Sequence, residues 1–271
     1  ALIYSFFLKY GIIMLTKFFF TSPLEQFDTL PIFSFFFFVL DFSFTSQAII
    51  LCLIVLFLML FLCSLVRPQD FTYFIIPTRW QYGIERLNLL IVGLVSDNVK
   101  DKQSQYFIPL VYSVFHFLLL LNLFGLIPYS FTLTSHIIVT FAIALIVFIG
   151  IQIIGVRKHG MHYFALLLPP STPIVLALLL VPIEFISFVF KPISLSIRLF
   201  ANMMAGHTLL KVIAGFGYTI MGAAGLICLI HFIPLLILLP LFVLEAGVAV
   251  IQTFVFSILI SIYLNEALNL H

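Results

Sequence analysis

Apolar residues fill this chain in blocks too long for the strands or amphipathic helices of a soluble fold. The first uninterrupted block covers about 46–66, SQAIILCLIVLFLMLFLCSLV, without one charge, and stops at Arg67-Pro68. A membrane-spanning helix needs roughly 20 such residues, so the block predicts one span. Blocks at about 106–127 and 136–157 predict two more, joined by a tight hairpin at IPYSFTLTSH. From about 173 to 212, and again from about 229 to 267, the chain is mostly apolar but carries scattered polar and charged residues. Gly215, Gly217, Gly222 and Gly225 predict a flexible turn between these last two segments.

The polar positions complete the layout. Residues 67–104 form the only long polar stretch and hold Arg67, Arg79, Arg86, Lys100 and Lys102. Within it Trp80, Ile84, Leu87, Ile91 and Leu94 recur at helical spacing, with Glu85, Arg86 and Asn88 off the stripe. That pattern predicts a helix lying flat on the membrane surface. Residues 1–45 are less regular. Lys9 and Lys17 cut the first apolar run into pieces too short to span, Pro23 and Pro31 break the next, and Asp41 interrupts FSFFFFVLDFSF. Residues 1–45 are therefore read as a leader or interfacial segment, and 46–271 as a single membrane domain.

Composition sharpens the class. The chain is 63% hydrophobic and 8% charged, against about 45–50% and about 25% in soluble domains. The expected fold is an all-α integral membrane protein. It has one amino-terminal transmembrane helix, an amphipathic surface helix, a transmembrane hairpin and two long tilted membrane helices. A net charge of +2 argues against a nucleic-acid partner. Cys52, Cys63 and Cys228 sit in apolar runs without metal-ligand spacing, so no metal or other cofactor is expected. No internal repeat supports an inverted-repeat transporter. The basic loops at 67–104 and 155–163 lie two spans apart and so on the same, inner side. This puts the amino terminus outside and the carboxyl terminus inside.

The last two segments carry the chemistry. An ionised group at the bilayer centre costs several kcal/mol, yet the apolar carboxyl-terminal half of the chain contains Glu184, Lys191, Arg198 and Glu245. Glu184, Lys191 and Arg198 are seven apart, and seven residues turn about 700°, nearly two full turns. They share one helix face. His231, Glu245, Gln252 and Glu266 are spaced by multiples of seven and form a second stripe. Two facing polar stripes make a path for an ion, with water between widely spaced stations. Arg198 stays protonated at any physiological pH. It can pair with a passing carboxylate and repel protons, but cannot relay them. Asn202, one turn on, can orient a carboxylate. His207 lies about 900° from Arg198, on the opposite side of the helix. Lys191 is read as structural or snorkelling, and His231 and Glu266 as span-end residues open to solvent. His116 and His136 show no partner and are read as structural; His159 and His162 are read as loop residues.

The run SLSIRLFANMMAGHTL at 194–209 closely resembles the signature of subunit a of F-type ATP synthases. LEAGVAVIQTFVF at 244–256 matches that family's final helix, and IPYSFTLTSH and the ending YLNEALNLH look like it too. SPLEQF at 22–27 resembles the start of the mature protein in plant and protist mitochondria. The resemblance covers about 22–271. It implies a proton-translocating stator subunit, not itself an enzyme, with two offset half-channels against the ring of subunit c. Arg198 would be the essential arginine between them and Asn202 its amide neighbour. His207 and Glu245, with Gln252 beside them, would be the inlet acid/base positions, and Glu184 the acid of the opposite half-channel. Implied partners are the c-ring, the peripheral stalk, other membrane-sector subunits, the lipid bilayer and protons. The arrangement of His at 207 and Glu at 245, the 34 phenylalanines and the SPLEQF match suggest the mitochondrial inner membrane. The protein would be multi-pass, with its amino terminus in the intermembrane space and its carboxyl terminus in the matrix. A redox-driven pump subunit would need paired haem-ligating histidines at matching depths, and a secondary transporter a repeat or broken-helix site. The sequence supplies neither.

Overall fold

The computed structural model describes residues 23–29, 31–33, 36–37, 40–41, 43–66, 79–99, 104–127, 130–160, 163, 174–221 and 232–269. The leader reading of the first residues, His162, His231, Gly222 and Gly225 fall outside them. Among the described residues six α-helices dominate: α1 (Ser46–Val66), α2 (Arg79–Asn98), α3 (Ser104–Gly125), α4 (Ile137–His159), α5 (Ile174–Met221) and α6 (Phe232–Leu268). α3, α4, α5 and α6 are each long and apolar enough to cross a membrane, and α1 carries no charge in its 21 residues. The protein is an all-α, multi-pass membrane protein. α5 has 48 residues and α6 has 37. At about 1.5 Å per residue they measure roughly 72 and 56 Å, well beyond a hydrocarbon core of about 30 Å.

Two local features differ from the sequence expectation. Gly215 and Gly217 lie inside α5 and not in a turn. In apolar surroundings a helix satisfies its own backbone groups, and this outweighs glycine's entropic cost. The phenylalanine-rich stretch before α1 contains short antiparallel pairings, Pro31–Phe33 (β1) with Phe44–Thr45 (β4) and Phe36–Phe37 (β2) with Leu40–Asp41 (β3). Aromatic side chains favour such extended pairs.

α6 is the hub, packed against α2, α3, α4 and α5. Its buried positions include Glu245, Ala249, Gln252, Phe256, Ile260, Leu264 and Ala267, a three-four periodicity that keeps one stripe inward. Leu195 and Leu199 of α5, Leu118 and Leu121 of α3 and Ile151 of α4 join it in one core. Ile91 and Val95 of α2 enter the same core, while Glu85 and Arg86 are exposed. The amphipathic reading of this helix therefore holds. Its stripe residue Ile91 is fully buried and Leu94 nearly so.

The two ends of the bundle differ. At one end His159 Nε2 donates to the Leu268 carbonyl at 2.9 Å, which brings Arg157 and Lys158 beside the end of α6. A cationic cluster suits a helix carboxyl terminus, where the dipole is negative. At the other end, Gln47 at the start of α1 donates to His136 Nε2 at 3.0 Å, and His136 stacks on Phe131 with ring centres 5.1 Å apart. His116 donates from Nδ1 to the Tyr112 carbonyl at 3.0 Å. Both histidines thus have partners that the sequence did not reveal, and both are structural.

Candidate functional site

α5 and α6 run antiparallel, and their polar side chains meet in a ladder. Lys191 Nζ lies 2.5 Å from Glu266 Oε2, Asn202 Nδ2 donates to Gln252 Oε1 at 2.9 Å, and His207 Nε2 lies 3.6 Å from Glu245 Oε1. As residue numbers rise along α5 they fall along α6, as an antiparallel register demands. The sequence placed most of these residues on stripes; the fold pairs them across the seam. Lys191 thus has an ion-pair partner across the seam. It also sits 4.9 Å from the centre of the Tyr263 ring. Glu266 is open to solvent, as its place near the span end suggests, with its side chain 44% exposed, and is also tied to Lys191. Nearby, Tyr163 donates to Gln152. Burial and then the Glu266 charge push the Tyr163 phenol above its ordinary pKa, which keeps it a donor.

The His207–Glu245 step is the least satisfied. Glu245 is 5% exposed, and among the described residues neither of its carboxyl oxygens, nor His207 Nε2, has a hydrogen-bond partner. Leaving buried polar atoms without partners costs about 1–3 kcal/mol each, more when charged. Such a pair is held ready for a proton, a water or another ligand. The close approach of Glu245 to α5 depends on Gly206, since a Cβ there would stand 2.6 Å from Glu245 Oε1. Sequence reasoning missed Gly206, although a glycine beside a histidine on a membrane helix is a usable signal for close packing. Behind α6, Asn122 of α3 donates to Thr253 Oγ1 at 3.2 Å and the Ala249 carbonyl at 3.3 Å. These bonds fix the turn of α6 between Glu245 and Gln252.

A cavity of about 740 Å³ opens beside His207 at the hairpin end of the bundle. Gly125, Ile127, Ser130 and Phe131 form one wall, Lys211 and Ala214 of α5 another, and Leu238 and Phe242 of α6 a third. Lys211 and the neighbouring Gln26 were not singled out by the sequence as site residues.

Arg198 lies on the exposed flank of this seam, about 20° around α5 from Lys191 and about 40° from Asn202. It is exposed, and among the described residues it makes no hydrogen bond or ion pair. It shares its face with Glu184, Ser187, Ser194, Ala201 and Ala205, all exposed. The side chains next to Arg198 on this face, Ser194, Ala201 and Ala205, are short, so another helix can approach its backbone there. Glu184 is likewise exposed and joins no ion pair among the described residues. His207 lies on the other side of α5 from Arg198, as the spacing predicts. Among the described residues no three His, Cys, Asp or Glu side chains gather in a metal-binding group.

A family model described as "ATP synthase A chain" matches residues 48–265. The chain is 51% identical over 255 residues to ATP synthase subunit a of Pylaiella littoralis, covering 93% of this chain and 100% of that protein. It is 46% identical to ATP synthase subunit a of Chondrus crispus, covering 95% and 100%. With that of Marchantia polymorpha the identity is 43%, covering 92% and 99%. Six helices, the α5–α6 polar seam and near full-length likeness agree: the chain belongs to the ATP synthase A chain family, subunit a of the membrane sector of F-type ATP synthases.

Proposed function

We propose that this subunit is a non-catalytic proton-translocating stator, a single membrane domain over 46–271, with two offset aqueous half-channels against the c-ring. The observation that carries the reading is Arg198: a permanent cation, exposed on the flank of an apolar helix, with no hydrogen bond or ion pair among the described residues. Facing lipid it would cost several kcal/mol. Facing a ring of carboxylates it gains a partner and separates two proton paths. The short side chains next to it leave room for ring helices.

The inlet would use the cavity at the hairpin end, with His207 and Glu245 as proton stations and Gln252 and Asn202 shaping the wall. From His207 to Arg198 is nine residues, roughly 14 Å along the helix, and from Arg198 to Glu184 roughly 21 Å. Water must bridge such gaps. Glu184, toward the basic end, would serve the exit half-channel. Basic loops on that side favour the matrix, which puts the amino terminus in the intermembrane space of the mitochondrial inner membrane. Peripheral-stalk and other membrane-sector subunits would cover the remaining apolar surface.

The test is proton-driven ATP synthesis, read together with passive proton flux, in assembled complexes. Glu184→Gln is expected to slow exit, lowering synthesis about a hundredfold, the lower end for losing a proton-transfer group. Wild-type rates would make Glu184 structural. Gly206→Ala is expected to displace Glu245 from its wall and cut proton entry with the complex still assembled. Unaltered entry would show that Glu245 needs no such close approach. Substitutions at Arg198 decide the central claim and are treated below.

A further inference from the structure

We propose that Gln26 is a positioning residue of the inlet: its side-chain amide orders the water that hands protons to His207 and Glu245. The proposal rests on the inlet reading above. Gln26 belongs to the short turn Pro23–Phe27, which packs against α5, and it lines the same cavity as His207. Its Nε2 has essentially no exposed surface and, among the described residues, no hydrogen-bond partner. A buried donor is normally satisfied by protein or by ordered water. The cavity beside it, about 740 Å³, has ample room for water, which needs about 10–15 Å³, and a turn about the broad terminal torsion of the glutamine side chain brings the amide to it.

The other polar groups on the walls are less suited to ordering that water. The Ser130 hydroxyl is already donated to the Phe124 carbonyl. Lys211 carries only donors and a positive charge, so it repels an excess proton. Most of the remaining wall is apolar, including Leu126, Phe131, Leu238 and Phe242. An amide is neutral and offers both donor and acceptor. It can hold a water in place without competing for the proton that water carries. SPLEQF, so far only a family resemblance, thereby acquires a physical role, because it places this amide over the inlet.

The experiment uses the whole assembled complex in vesicles, with ATP synthesis followed as the pH on the inlet side is varied. Gln26→Leu keeps the volume and removes the amide. Slower delivery is compensated by a higher proton concentration. The half-maximal pH should therefore move to the acid side by about one unit, a roughly tenfold effect on the scale of one ordered hydrogen bond, with the maximal rate preserved. Gln26→Asn keeps the amide on a shorter stem and should shift the profile less; it also serves as the readout if the Leu variant fails to assemble. A merely structural role would lower the maximal rate without moving the profile. Profiles of the assembled variants that superimpose on wild type, or lose only maximal rate, overturn the proposal. Glu245→Gln measured alongside separates the two claims: a defect there with no shift at Gln26 leaves the inlet reading standing, whereas no defect in either removes the inlet itself.

Discussion

Replacing Arg198 by Ala is expected to reduce proton-driven ATP synthesis to background while the complex still assembles. The guanidinium makes no hydrogen bond or ion pair among the described residues, so its loss removes no internal bond of that kind and should leave the fold intact. Its value lies in what it does to a facing partner: a fixed positive charge in a low-dielectric setting forces a nearby carboxylate to release its proton and blocks direct passage of protons. Without it the two paths are no longer kept apart, and passive flux should rise or lose its dependence on ring rotation. Arg198→Lys keeps the charge but loses the planar fork, so partial function at most is expected. Synthesis at wild-type rates in the Ala variant would remove Arg198 from the mechanism. Failure of Arg198→Ala to assemble would instead assign it a structural contact with a partner.

Glu245→Gln should be nearly as damaging, by a different route. The amide has almost the same shape, so Gly206 and α6 need not move, but it cannot accept and release a proton at physiological pH. Losing a positioned proton-transfer group costs typically about 10²–10⁴-fold. Waters in the cavity can carry part of the flow, so the lower figure is expected. Flux measured from the hairpin side should fall while the complex stays assembled. Here the sign of a stability change is also informative. Glu245 is buried and, among the described residues, neither of its oxygens accepts a hydrogen bond, so a neutral amide in its place should leave thermal stability unchanged or raise it. A marked loss of stability with normal flux would recast Glu245 as a structural residue.

Much of this was legible in the chain. Apolar runs near 20 residues located the spans within two residues of α1, α3 and α4, because the bilayer fixes both length and composition. The stripe of α2 was readable as Ile84, Leu87, Ile91 and Leu94. The seven-residue spacing placed Arg198 and Glu184 on one face, and the half-turn offset put His207 on the other. Pairings between helices were not legible. Nothing local says that Lys191 meets Glu266, or that Asn202 meets Gln252, because those contacts depend on the register of two elements joined through a connection whose length alone does not set it. The extent of α5 was not legible either. Gly215 and Gly217 suggest a turn in water, but in an apolar setting the helix continues through them. Gly206 and Gln26 gained meaning only once a carboxylate and a cavity stood beside them.

The ladder between α5 and α6 has a mechanical side. On the rotary reading, the ring pushes against the Arg198 face each time a subunit passes, and a stator must resist that push without yielding. Lys191–Glu266 and Asn202–Gln252 are eleven residues apart on α5, roughly 16 Å, and Arg198 lies between them. They act as two pins through parallel rods. One pin lets the rods pivot, whereas two on either side of the loaded point oppose both pivoting and sliding. Weakening the Lys191 pin should therefore matter little at rest and more under load, as slippage between proton flow and synthesis that grows with the opposing phosphorylation potential.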